Sequence, residues 1–355
     1  MKKSLIALAV LAASGAAMAQ SSVTLYGVAD IGLAYEDSGS AKTTRLDSSN
    51  LNGSRWGLKG TEDLGGGLKA IFTLEAGFNL DTGAQGDAAS FFNRQSFVGV
   101  QSGFGTVKLG RQNNPVYATA ATWDVFGNAL AGDSSHLFSY NGSRTNNMVS
   151  YNYASNGFYG ELQYGLGEVA GNNSVTDADS AGRTAAMFVG YRAGPFDVVL
   201  THQNIHEGIL ASATGVVPVV VANPNAYVTS RKMTLLGGNY DFGMVKLFAA
   251  YAQEKNAGAV ALNQKDAHIG LSAPIGSAGT VKVSYLRKTD DLNNNADAEQ
   301  YAIGYIHNLS KRTSLYTSYA MLSNDPAAKY SAGKDKAVAA GNDSKLFNIG
   351  VKHSF

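Results

Sequence analysis

Cysteine is absent from the 355 residues, which excludes a disulfide framework and any thiolate metal site. An excess of either charge sign is missing too: 28 basic side chains stand against 27 acidic ones. Nucleic-acid binding as a property of the whole chain therefore finds no support. Prolines number only six. Beyond the N-terminal segment there is no apolar run of the ~18 residues that a membrane helix needs, so a helical membrane protein is excluded. Glycine, at 41, and tyrosine, at 18, are plentiful instead. That combination favours strands and turns.

The first residues follow a secretory pattern. Lys2 and Lys3 form a positive start, Leu5 to Ala13 an apolar stretch, and Ala17-Met18-Ala19 a small-residue cleavage site. Cleavage after Ala19 is expected, with residues 20–355 as the mature chain. Losing Lys2 and Lys3 leaves 26 basic side chains against 27 acidic ones, close to neutral.

From Ser22 to Tyr35 the sequence alternates. Val23, Leu25, Gly27, Ala29, Ile31, Leu33 and Tyr35 share one face, and Thr24, Tyr26 and Asp30 the other. Fifteen further segments read the same way, near 54–63, 67–79, 92–102, 105–111, 146–153, 158–167, 183–193, 195–207, 229–241, 244–255, 263–274, 280–290, 298–308, 312–323 and 343–355. Short Gly- and Asn-rich links, such as Asp63–Gly67, Ala154–Gly157 and Asp241–Gly243, supply the positive φ of tight hairpins. They alternate with longer links at 36–53, 80–91, 112–145, 168–182, 208–228, 256–262, 291–297 and 324–342. An even strand count, with short turns on one rim and long loops on the other, predicts a 16-stranded antiparallel transmembrane β-barrel with both termini at the short-turn rim. In hydrocarbon only a closed sheet pairs all its backbone groups. The faces agree. Phe158, Leu162, Tyr164, Met187, Val189, Tyr191, Val283 and Ile303 alternate with Glu161, Gln163, Lys282 and Ser284, so the apolar side meets lipid and the polar side a watery lumen. The segment 92–102 alternates poorly, which fits a wall facing protein.

The rhythm stops at 112–145, which is too long for an ordinary loop and too apolar for disorder. Trp123, Phe126, Leu130, Leu137, Phe138 and Tyr140 call for burial. Asn114 before Pro115 predicts an N-cap and a short helix over 116–125. A loop folded back into the hollow is the expectation.

The stretches SSVTLYGVADIGLAY, SRWGLKGTEDLGGGLKAIFTLEAGF, NRQSFVGVQSGFGTVKLGRQ, NLSKRTSLY and GVKHSF resemble the Gram-negative trimeric porins of the betaproteobacterial and neisserial type, along nearly the whole mature chain. The resemblance implies a general diffusion porin for small ions and hydrophilic solutes. It would be a homotrimer in contact with outer-membrane lipid and lipopolysaccharide, with 112–145 as the constriction and Phe355 as the terminal aromatic read by the outer-membrane assembly machinery. Parity points Arg55 into the lumen, opposite Trp56 and Leu58, and Arg144 likewise, opposite Val149 and Tyr151. The resemblance places Arg55, Arg94 and Arg144 in a basic cluster on the wall. Asp124, in WDVF, and Asp133 would face them from the loop, giving a charge filter that prefers anions. The blander reading makes each arginine a solvated or ion-paired lumen residue. Arg111 reads as a loop anchor, and Lys59 and Asp30 fit either role.

Other signals are weaker. His202 and His206 share a helix face only if the segment is helical; on a strand they lie ~13 Å apart, too far to hold one metal ion. Gly65-Gly66-Gly67 lacks the lysine of a phosphate loop. No serine, histidine and orienting acid stand out together around His136. Neither an enzyme nor a cofactor is implied. The apolar run GVVPVVVANP in 208–228 reads as packing among loops. Two alternatives remain: a solute-specific channel with a binding site in the lumen, and a plugged barrel acting as an enzyme or adhesin through its loops.

Overall fold

A computed structural model describes residues 22–140, 142–168, 182–212, 215–218, 226–257, 261–293, 295–334 and 338–355. The expected leader, 1–19, and most of the link 168–182 lie outside them. The first half holds β1 (Ser22–Asp37), β2 (Lys42–Ser48), β3 (Arg55–Gly65), β4 (Leu68–Gly77), β5 (Gln95–Ser102), β6 (Gly105–Asn113), helix α1 (Pro115–Trp123), β7 (Arg144–Ser155), β8 (Phe158–Gly165) and β9 (Thr184–Ala193). The second half holds β10 (Phe196–Ser212), β11 (Gly215–Pro218), β12 (Ala226–Asp241), β13 (Lys246–Ala257), β14 (Leu262–Ile275), β15 (Gly279–Asp290), β16 (Ala298–Asn308), β17 (Thr313–Asn324) and β18 (Ser344–Ser354).

All eighteen strands belong to one sheet, and every pairing is antiparallel. They fill sixteen positions around the wall. The lower half of β1 pairs with β3 and the upper half with β2, so β2 and β3 form one wall strand interrupted at 49–54. β11 is a short flap paired to the end of β10. The expected barrel is therefore present, with two differences of detail. Half of the link expected at 36–53 is strand, because Lys42 to Ser48 continues the hairpin from β1. The link at 208–228 shrinks as β10 and β12 extend into it, while 213–214 and 219–225 lie outside the described residues.

Closure is made by β1 against β18, from Val28↔Ser354 to Asp37↔Lys345. Beyond that ladder Phe355 exchanges two backbone hydrogen bonds with Gly27, at 3.1 and 3.0 Å. A Cβ at Gly27 would sit 2.3 Å from the Phe355 ring, so only glycine admits the terminal aromatic there.

The outer surface follows the alternation. Phe158, Leu162, Val189 and Ile303 are about half exposed or more, whereas Gln163 and Ser284, one position out of phase, are buried. A surface of this kind is stable against hydrocarbon and not against water. Segment 92–102 gives a weak signal for two local reasons. Its strand begins only at Gln95, and the inward Phe97 is apolar but lies under the Lys108 ammonium, 5.6 Å from the ring centre.

Inside, the long insert lines the wall opposite its own origin. Asn114 caps α1, accepting from Tyr117 N at 2.8 Å. Its amide donates to the Tyr140 and Gly142 carbonyls, so one residue starts the helix and clasps the two ends of the loop. The helix stops at Trp123, two residues short of expectation, because Asp124 turns extended and accepts Phe126 N. Trp123 stacks on Phe138, with ring centres 5.2 Å apart. Three wall glycines make room for the loop: an added Cβ would lie 2.5 Å from Trp123 at Gly237, 2.5 Å from Val125 at Gly270 and 2.8 Å from Phe126 at Gly304. Polar ties complete the seat, from Asn239 to the Thr122 carbonyl (2.7 Å) and from Ala131 N to Ser318 (2.9 Å).

Gly237→Val should therefore push Trp123 off the wall, at an overpacking cost of about 1–3 kcal/mol. The expected result is a barrel that still shifts on heating before electrophoresis but shows altered, noisier single-channel conductance. Unchanged conductance would mean that the loop does not rest on Gly237.

Candidate functional site at the loop constriction

The site forms where α1 faces the wall strands β3, β4 and β7. Arg55 opens β3, Arg94 lies one residue before β5, and Arg144 opens β7. Arg55 and Arg94 share one partner, Glu75, near the end of β4. Its carboxylate accepts Arg94 Nε at 2.7 Å, lies 3.3 Å from Arg55 Nε and takes the Tyr26 hydroxyl at 3.0 Å. Arg144 stacks on Tyr117 of α1, with the guanidinium carbon 4.5 Å from the ring centre. The guanidiniums of Arg94 and Arg144 both lie near the Tyr117 phenol. Burial alone would push that phenol up, but the two guanidinium charges bring it below its ordinary value.

The three arginines thus come together, with Glu75 and Tyr117 as the joints. Neither joint stood out in the sequence. Glu75 was hidden by a bulge: counting back from the Gly65↔Leu68 turn would set Ala76 against Gly57, and the register shift between Asp63 and Gly65 brings Glu75 there instead, on the face of Arg55. Tyr117 had no signal, since a side chain on an insert has no strand parity to orient it.

The loop aspartates sit elsewhere. Asp124 is buried at 1% exposure and accepts from Phe126 N (2.8 Å), Asn128 N (3.1 Å) and the Ser134 hydroxyl (2.8 Å). It does not face the arginines across an opening. A carboxylate inside a dense turn is stabilised by the N–H groups around it, and here Asp124 shapes the loop. Asp133 is half-buried and caps a single 3-10 turn at Ser134–His136, accepting Ser135 N at 2.8 Å.

Asp30 is structural in its geometry. Fully buried, it accepts the amides of Asn50, Leu51 and Asn52 and the Tyr316 hydroxyl, all within 3.1 Å. This holds the break between β2 and β3, and Asn50 in turn accepts Leu130 N of the constriction loop at 2.6 Å. Arg111 ties the Asn93 carbonyl (2.7 Å) and Asn146 together beside the loop root. Lys59 lies lower, exposed, 5.4 Å from the Tyr26 ring centre. His202 and His206 lie on β10, with strand spacing between them.

Elsewhere in the lumen four cations are paired with acids: Lys108 with Glu161 at 3.1 Å, Lys288 with Asp266 at 2.7 Å, Arg45 with Glu36 at 2.7 Å, and Arg231 with Glu254. At the constriction Glu75 pairs with Arg55 and Arg94, and Arg144 stacks on Tyr117 with no carboxylate of its own among the described residues.

A family profile described as Gram-negative porin matches residues 5–328. Outer membrane porin protein 32 of Delftia acidovorans is 37% identical to this chain over the full length of both. A major outer membrane protein P.IB of Neisseria gonorrhoeae is 30% identical over 92% of this chain and 95% of its own length. Among solved structures, the anion-selective porin from Comamonas acidovorans superposes with a TM-score of 0.81 at 32% identity, covering 95% of this chain and 100% of that one. With the barrel, its inward loop and these full-length likenesses in agreement, the chain belongs to the family of Gram-negative porins and is an outer-membrane porin.

Proposed function

We propose that this porin passes small hydrophilic solutes and ions by passive diffusion, with anions preferred, and that Arg55, Arg94 and Arg144 set the preference. The observation that carries this reading is the local excess of three guanidiniums over the single carboxylate of Glu75. The solved relative with 32% identity is itself described as anion-selective. A permeating ion close to the cluster feels it within the Debye length of ~10 Å at 0.1 M salt, so the excess is not screened away. Asp124 contributes indirectly, by holding the loop that brings Tyr117 to the arginines. Asp133 remains a loop acid at the edge of this field.

Replacing all three arginines with glutamine should lower the chloride-over-potassium permeability ratio, read from the reversal potential under a KCl gradient, by roughly threefold or more. Glu75→Gln should move it the other way. Open channels with unaltered selectivity in the triple variant would remove the arginines from the filter and leave the porin.

We also propose a homotrimer. Supporting it, Trp56, Phe91 and Phe92 form an outward aromatic cluster with ring centres 4.8–6.4 Å apart, beside the weakly apolar β5, and Phe91 is 58% exposed. Light scattering of the detergent-solubilised protein should give three chains per particle. Changing Phe91 and Phe92 together to serine should shift the particle toward monomer. A trimer unaffected by that change would place the contact elsewhere.

A further inference from the structure

The strand register decides which side chains leave the barrel outward. On β12, Leu236 and Tyr240 are exposed to the outside, so Thr234 and Lys232, in phase with them, share that face. On β13 the exposed Tyr251 places Gln253 and Lys255 outward in the same way. The ladder sets Lys232 directly against Lys255, and both are exposed. Like charges opposed across an antiparallel pair destabilise the sheet. Among the described residues neither lysine has an acidic partner. Their neighbours differ: Lys265 lies 2.7 Å from Asp291, and Arg287 reaches Asp297 at 3.5 Å and Glu299 at 3.8 Å. Asn204, opposite Lys232, and Asn263, opposite Lys255, add polar groups at the same level.

Height matters here. Lys232 is eight residues above Tyr240, which at ~3.4 Å per residue and ~40° of tilt is about 20 Å. That is close to the top of an apolar band about 25 Å tall, on the long-loop side. Directly below lie Leu236, Tyr251 and Ile269, each more than half exposed. The patch therefore joins two uncompensated cations to an apolar surface at the depth of outer-leaflet headgroups.

We propose that Lys232 and Lys255 together dock the phosphate of an anionic lipid in the outer leaflet, with its acyl chains lying over Leu236, Tyr251 and Ile269. This rests on the outer-membrane placement and is independent of the arginine filter. A phosphate between the two ammonium groups turns their repulsion into two charge-assisted contacts.

Binding is measured on the folded protein in detergent, by native mass spectrometry, with bisphosphorylated lipid A, its dephosphorylated form and inorganic phosphate as probes. The variant K232Q/K255Q should bind the phosphorylated lipid about tenfold more weakly, while K265Q stays near the parent. In lipid-free detergent the double variant should unfold no more easily than the parent, because a repulsion has gone. Its conductance and ion selectivity should be unchanged, because both side chains lie outside the lumen. Wild-type affinity in the double variant would overturn the proposal, as would equal binding of the dephosphorylated lipid. Competition by millimolar inorganic phosphate would mark a free-anion site and overturn the lipid assignment. Changed selectivity would put the lysines in the conduction path and overturn it as well.

Discussion

A strand that crosses hydrocarbon can place its N–H and C=O groups only on another strand, and each orphaned pair costs several kcal/mol. Every other property of this molecule follows from meeting that requirement by closure. The ladder from β1 round to β18 leaves no edge at membrane depth. Once the wall is closed, its outer face must be apolar and its inner face is free to be wet. The alternation seen in the sequence is the chemical record of that division.

Closure also makes a hollow that is too wide to discriminate, and the chain narrows it with its own loop. The loop behaves as a small folded unit. Asn114 ties its two ends, Asp124 gathers the turn after the helix, and Trp123 with Phe138 forms a core that sits on wall glycines. Because the loop is seated firmly on one side, the other side of the opening is left to β3, β4 and β7. There the charge is unbalanced by design of the neighbourhood: Glu75 fixes Arg55 and Arg94, Tyr117 seats Arg144, and one carboxylate does not neutralise three guanidiniums.

Much of this was legible in the sequence, for physical reasons that can be named. Strand positions were, because a half-buried strand has a period of two and a tight turn needs Gly or Asn. The helix start was, because Asn-Pro satisfies an orphan donor and removes another. Arg55 and Arg144 had a readable direction from their strand parity. What was hidden depends on tertiary neighbours. Lys42 to Ser48 has a single apolar residue, Leu46, so it carries no alternation, and only pairing with β1 makes it strand. The local sequence around Asp124 reads the same whether its carboxylate faces water or the amides of Phe126 and Asn128. Glu75 was hidden by the bulge between Asp63 and Gly65, which shifts the hairpin register by one residue, whereas Tyr117 lay beyond any local pattern.

The glycine seat bears on the order in which the molecule is built. Gly237, Gly270 and Gly304 lie on β12, β14 and β16, all later in the chain than the loop they receive. A partly paired chain, with only its first strands in register, offers Trp123, Val125 and Phe126 nothing to rest on. The constriction is therefore a late event of folding. Until the C-terminal strands arrive, the loop's apolar side chains remain a sticky, exposed surface, and the period of greatest vulnerability to misassembly falls between the synthesis of the loop and the arrival of its wall.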